Sequence, residues 1–236
     1  MKNTSKHVSL PFATVLVAAA ALAAPAPSLV AGDDENGATI QPAQEQNDNV
    51  SHSLALEFFY GFACDDLYDK HGVSIDADTF GPQMRYTVTP KGVFGDSGVY
   101  PEFFVLAGFG AGYGSDEGFD VSVINVRASI GANIKMDVSD SVSAFARAQV
   151  GIDYESIDLD YYSYCNTNDD LGFLYGVGVG VQIALRDKTP SSMAAHSVTI
   201  GVDYIGSTAE PEFKSLGVEA DEQSYIVLSI GYRLDF

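Results

Sequence analysis

The chain has 236 residues, with 12 Lys or Arg against 32 Asp or Glu and a formal charge of −20. That excess of acid excludes a nucleic-acid partner, since phosphate contacts need the opposite sign. No zinc-ligand spacing or phosphate-cradling loop occurs, so neither a metal nor a cofactor is expected. Gly108, Gly110 and Gly112 recur with period two and read as strand.

Lys2, Lys6 and His7 make a short basic start, followed by an Ala-heavy apolar run interrupted by Pro11. This predicts a secretory signal peptide over residues 1–32, with cleavage somewhere between 23 and 32. Position 33 is Asp, so the Ser28–Gly32 stretch is no lipoprotein site. All the acids follow Gly32, so removing the signal leaves 10 basic against 32 acidic residues, a net −22. Residues 33–50 are acidic, Gln/Asn-rich and aperiodic, which predicts a disordered extension. No later segment holds the roughly 18 consecutive apolar residues of a spanning helix.

From residue 51 the chain alternates with period two, and opposite parities point to opposite faces of a strand. The first strand sets Leu54, Leu56, Phe58, Tyr60 and Phe62 against Ser53, Ala55, Glu57 and Gly61. The second sets Phe80, Pro82, Met84, Tyr86 and Val88 against Gln83, Arg85 and Thr87. Pro82 is expected at a bulge or near a rim, because it cannot donate to a ladder. The third runs from about Val99 to Tyr113, with Glu102 on its polar face, where Phe104 and Leu106 are out of place. The fourth sets Ile124–Ile134 against Asn125, Arg127, Ser129, Asn133 and Lys135. The fifth sets Val142–Tyr154 against Arg147, Gln149 and Asp153. The sixth sets Phe173–Leu185 against Gly176, Gly178, Gly180 and Gln182; the seventh sets Val198–Tyr204 against Ser197, Thr199 and Asp203. The eighth, Tyr225–Phe236, places Ile226 to Phe236 opposite Ser229, Gly231, Arg233 and Asp235.

Eight strands whose polar face is small and sparsely charged predict an all-β, antiparallel, up-and-down transmembrane barrel over residues 51–236. A soluble barrel would need a water-facing surface rich in Lys, Glu and Thr, and the polar face has Gly and Ser instead. Aromatics cluster toward strand ends (Tyr60, Phe62, Tyr113, Tyr154, Phe173, Tyr204, Tyr232, Phe236), as interfacial girdles require. Residues 137–141 and 186–195 read as short turns, and 64–78, 155–171 and 206–222 as long outer loops. Loop 114–119 is shorter, and the turn at 89–98 longer, than that alternation asks.

The signal, the eight-strand pattern and the terminal Tyr232-Arg-Leu-Asp-Phe236 resemble the small outer-membrane β-barrel proteins: the OmpX-like, opacity-type and OmpA-transmembrane-domain groups. The resemblance implies a multi-pass barrel in the bacterial outer membrane. It also implies that Tyr232, Leu234 and Phe236 are read by the barrel-assembly machinery. Unlike OmpA, no periplasmic domain is expected after the barrel.

So narrow a barrel holds little beyond its own side chains. Glu57, Arg85, Glu102, Arg127, Arg147, Asp153, Asp203, Arg233 and Asp235 are therefore expected to pair inside it. A filled lumen and acidic loops predict a structural or surface-adhesion role, with lipopolysaccharide and host or surface ligands as partners. The alternatives are a narrow ion-conducting pore and a lipid-A-modifying enzyme built on His71, Asp69 and Ser74; no catalytic residue is expected. The only cysteines, Cys64 and Cys165, lie in an oxidising compartment and are expected to form a disulfide between the first and third outer loops. The outer loops hold 18 Asp or Glu against Lys70 and Lys214, so weak, distributed divalent-cation binding is expected.

Overall fold

In the computed structural model the chain is described over residues 50–236, apart from 65–67, 71–72, 76, 95–96, 117–118, 162–163, 187–193, 211, 214–217 and 220–221. The expected signal peptide and nearly all of the expected acidic extension lie outside these residues. Every regular element described is a strand. Eight strands close the barrel: β1 (Val50–Ala63), β4 (Asp78–Pro90), β5 (Val99–Asp116), β6 (Phe119–Ser139), β7 (Val142–Tyr161), β8 (Tyr164–Arg186), β9 (Ala195–Ser207) and β12 (Gln223–Asp235). Two small hairpins, β2–β3 (Tyr68–Lys70, Val73–Ile75) and β10–β11 (Glu212–Phe213, Val218–Glu219), sit in the first and last outer loops.

All neighbours are antiparallel, and the last strand pairs with the first from Ser53–Asp235 to Ala63–Tyr225. Phe236 and His52 exchange backbone hydrogen bonds at the seam. Stepping from Val177 through Tyr204 and Ile226 reaches Phe62 on β1. The opposite circuit, through Ala148, Ala132, Phe103 and Val88, reaches His52. The register therefore slips ten residues per turn, from His52 to Phe62. With ~3.3 Å rise per residue and ~4.8 Å between eight strands, that slip tilts the strands by about 40°.

Burial is inside out. Leu56, Phe58 and Ile130 are 58%, 60% and 61% exposed, while Glu57 and Glu102 are each 1% exposed. Along β7 the outward apolar band from Val142 to Tyr154 spans about 30 Å of barrel height, the thickness of a bilayer core. Past Tyr154 the β7–β8 hairpin continues about 15–20 Å farther, with Ser156, Asp158 and Asp160 outward and Ile157 and Leu159 buried inward.

The strands depart from the sequence expectation in four places. The expected loop 155–171 is largely strand, since β7 and β8 pair as far as Tyr161 and Tyr164. The expected loop at 114–119 is a tight connection between β5 and β6, which pair out to Asp116 and Phe119. Pro82 lies well inside β4, opposite Phe58, and the β4–β5 pairing lapses at Gly81 and Pro82, so no ladder bond is asked of the missing N–H. Phe104 and Leu106 are interior side chains, each 3% exposed. The Phe104 ring occupies the space where a side chain at Gly131 would stand.

Candidate functional site: the lumen and the outer rim

The inward parity of every barrel strand converges on one lumen, and its charges fall into three layers. Nearest the periplasmic end, Glu102 on β5 is the hub. Arg233 on β12 donates to both its oxygens at 2.9 and 3.3 Å, Asn133 donates at 2.8 Å, and Lys135 lies 3.6 Å away. Arg233 also donates to Asp235 at 2.8 Å, and Lys135 to Gln182 at 2.8 Å. Arg233 reaches Glu102 across β1 and β4, so this layer spans the lumen rather than lining its wall.

In the middle layer Glu57 accepts from Gln83 at 2.5 Å and pairs with Arg85 at 3.0 Å. Arg147 holds Asp203 with a bidentate fork over β8 and donates to Ser229 at 3.2 Å. Aromatic rings face the guanidinium groups: Phe104 at 4.9 Å from Arg85 and Phe145 at 5.3 Å from Arg147. In the outer layer Arg127 donates to Gln83 at 3.3 Å, sits 3.7 Å over Phe59 and stands opposite Asp153 in the register. Glu155 lies directly beyond Asp153 and is fully buried. Buried Val121, Val123, Ile157 and Leu159 roof this layer on β6 and β7.

Eight of the nine charges expected inside are buried there; the Asp235 side chain is 28% exposed at the periplasmic mouth. Sequence reasoning put Lys135 on the polar face without counting it among the paired charges, and read Glu155 as the start of a loop. Lys135 carries the inward parity of Arg127 and Asn133, and Glu155 continues that of Asp153, so the alternation itself held the signal. Among the described residues, no group of three or more His, Cys, Asp or Glu side chains is placed to hold a metal.

The rims differ in the partners they give tyrosine. At the outer rim Tyr60 donates to Asp78 at 2.7 Å, Tyr113 to Asp120 at 2.6 Å and Tyr154 to Asp169 at 3.1 Å. At the periplasmic rim Tyr86 pairs with His52 at 2.8 Å, and Tyr232 with His196. Tyr232 and Phe236 project outward from the closing strand, with Leu234 half-buried on the same face.

The expected Cys64–Cys165 bridge is absent: Cys64 is exposed and free. Its backbone N–H donates to Ser224, which leads through Gly206 to Tyr175, and Cys165 is ten residues farther along β8. With the strand tilt above, Cys165 sits three strands round and about 15 Å farther out along the barrel axis. A disulfide needs Cα atoms within about 7 Å. The His71, Asp69 and Ser74 constellation lies outside the residues whose side chains are described.

A closed antiparallel barrel with an apolar exterior of bilayer height and an ion-paired interior is a transmembrane β-barrel, the only sheet that leaves no unsatisfied edge in lipid. The chain is an integral outer-membrane protein of the small, eight-stranded kind. No known family's sequence pattern matches it, and no curated sequence does. Among solved structures, Neisserial surface protein A is 16% identical with a TM-score of 0.48, covering 79% of this chain and 99% of that one. A major outer membrane protein of Thermus thermophilus is 14% identical at 0.46, covering 78% and 99%. Ail, the attachment invasion locus protein of Yersinia pestis, is 11% identical at 0.42, covering 79% and 98%.

Proposed function

We propose that this protein is a non-conducting outer-membrane barrel that stabilises the envelope and presents an acidic, tyrosine-bearing surface for adhesion. The observation that carries the reading is the set of bonds crossing the lumen: Arg233 to Glu102, Arg147 to Asp203 and Ser229, and Lys135 to Gln182. A hydrated ion entering along the axis would have to part these buried pairs, which is costly where water cannot replace them. Recognition then belongs to the part outside the membrane. Asp120, Asp160 and Asp169 are exposed there, beside the tyrosines of the outer rim. Tyrosine offers broad contact with a polar tip, and the acids select a basic partner surface.

Lipopolysaccharide surrounds the outer rim in this reading, and the assembly machinery reads Tyr232, Leu234 and Phe236. No catalytic role is assigned to the chain. The test pairs planar-bilayer recording of the purified protein with adhesion and detergent-sensitivity assays on a deletion strain. The expected outcome is no stable open conductance, together with loss of adhesion or of detergent resistance. A large, stable conductance overturns the closed lumen, and wild-type behaviour in both cell assays overturns the role. Deacylation or acyl transfer on lipopolysaccharide that is lost in His71→Ala would make the protein an enzyme instead.

A further inference from the structure

The three layers of the lumen are not equally balanced in charge. The periplasmic layer sets Glu102 and Asp235 against Arg233 and Lys135, and the middle layer sets Glu57 and Asp203 against Arg85 and Arg147. Among the described residues the outer layer sets Asp153 and Glu155 against Arg127 alone. Neither oxygen of Glu155 has a hydrogen-bond partner, nor does Oδ1 of Asp153. A separate observation points the same way. Asn125, 2% exposed and directly opposite Glu155 in the β6–β7 register, also has an unpartnered buried oxygen. Gly110, beside it on β5, leaves its carboxamide space that a Cβ would fill.

We propose that Asn125, Asp153 and Glu155 form a binding site for a small, hard cation in the outer lumen. Cross-strand partners stand ~5 Å apart at Cβ, and same-face neighbours along a strand ~6.6 Å, so one ion can draw the two carboxylates together. The Asn125 carboxamide, whose Oδ1 leans over Gly110 on β5, turns toward β7 to join them. Carboxylate and carboxamide oxygens are the ligands that Ca²⁺ and similar ions take. An anion is excluded by the sign of the site. Arg127, opposite Asp153, offsets one of the two carboxylates and leaves the other uncompensated. Asp170, opposite Glu155 on β8, adds negative charge at the mouth while it accepts from the backbone of Glu210. The Val121, Val123, Ile157 and Leu159 roof keeps bulk water off the ion. With two carboxylates rather than a full acidic loop, the site binds Ca²⁺ in the millimolar range.

The test uses the full barrel in lipopolysaccharide-free micelles and reads the urea-unfolding midpoint. Millimolar CaCl₂ is compared with N-methylglucamine chloride at matched ionic strength. The midpoint is expected to rise with Ca²⁺, as for any ligand that binds the folded state alone. Glu155→Gln should raise the midpoint without Ca²⁺ and abolish the response, while Asp158→Asn, on the opposite face of the same strand, should keep it. Asn125→Asp adds a ligand charge and should strengthen the response several-fold, which keeps the test open should Glu155→Gln fail to fold. Equal midpoints in the two salts, or an undiminished response in folded Glu155→Gln, overturn the site. A midpoint that follows pH alike in both salts also overturns it, by giving the place of the cation to a proton.

Discussion

Neutralising Glu102 is the sharpest probe of the lumen. Glu102 is 1% exposed and faces two cations, Arg233 at 2.9 Å and Lys135 at 3.6 Å. Glu102→Gln keeps the shape and removes the charge. Arg233 would still hold Asp235 at 2.8 Å, but Lys135 would keep only uncharged partners, Gln182 and the Tyr100 ring. A buried cation stripped of its counter-charge costs about 3–5 kcal/mol, a factor of hundreds to thousands in the folding equilibrium. The double variant Glu102→Gln/Lys135→Met removes the stranded charge as well and should recover most of that loss. Its coupling energy should lie within the ~0.5–3 kcal/mol found for contacting groups. The chain has no Trp, so unfolding in urea is followed by far-UV circular dichroism or gel mobility. A single-variant loss below about 1 kcal/mol is what a solvated surface pair gives, and would refute a dry, ion-paired lumen.

Three further outcomes are expected. Gly131→Ala should destabilise the barrel by about 1–3 kcal/mol, because its Cβ would run into the Phe104 ring and the Ala148 carbonyl; an unchanged unfolding midpoint would refute that packing. A membrane-impermeant maleimide should modify Cys64 on intact cells without reductant, and an unreactive thiol there would contradict the separation from Cys165. In lipopolysaccharide-containing membranes, chelation should lower the thermal midpoint and Mg²⁺ restore it, in Glu155→Gln as in wild type. The outer-rim carboxylates of Asp78, Asp120 and Asp169 would otherwise repel lipid phosphates unbridged; identical midpoints would rule this out.

Within the membrane the architecture was legible almost strand by strand. Lipid on one side and a cramped polar lumen on the other impose one parity rule along each strand, and eight of the nine named charges obey it. The exceptions are apolar: Leu106 is one, and three others are aromatic. Phe59, Phe104 and Phe145 sit on the polar parity, buried, each under a guanidinium. No local pattern distinguishes such a ring from a register error, because what justifies it is an arginine on another strand. The disulfide failed for a related reason. Two cysteines at the ends of outer loops on opposite sides of the ring look able to meet across the mouth until the ten-residue slip is known, and that slip is a property of the closed ring rather than of any segment.

Beyond the membrane the same strands became unreadable, because the solvent outside them changes. On β7 the odd positions run Arg147, Gln149, Gly151, Asp153 and Glu155, then Ile157 and Leu159; the even positions run Val150, Ile152 and Tyr154, then Ser156, Asp158 and Asp160. The strand keeps its direction and its inward parity across Tyr154, while the preference of each face inverts. On β6 the same exchange places Val121 and Val123 inward with Asp120 and Ser122 outward. Below the girdle the outer face meets lipid and must be apolar; above it that face meets water, and the apolar groups turn in to roof the lumen. A period-two reading that assumes one solvent sees the alternation collapse there and assigns a loop. Glu155 stands at the point of inversion, the last inward acid before the apolar roof. Its burial without a partner follows from that position: the polar lumen below supplies one guanidinium, and the roof above supplies none.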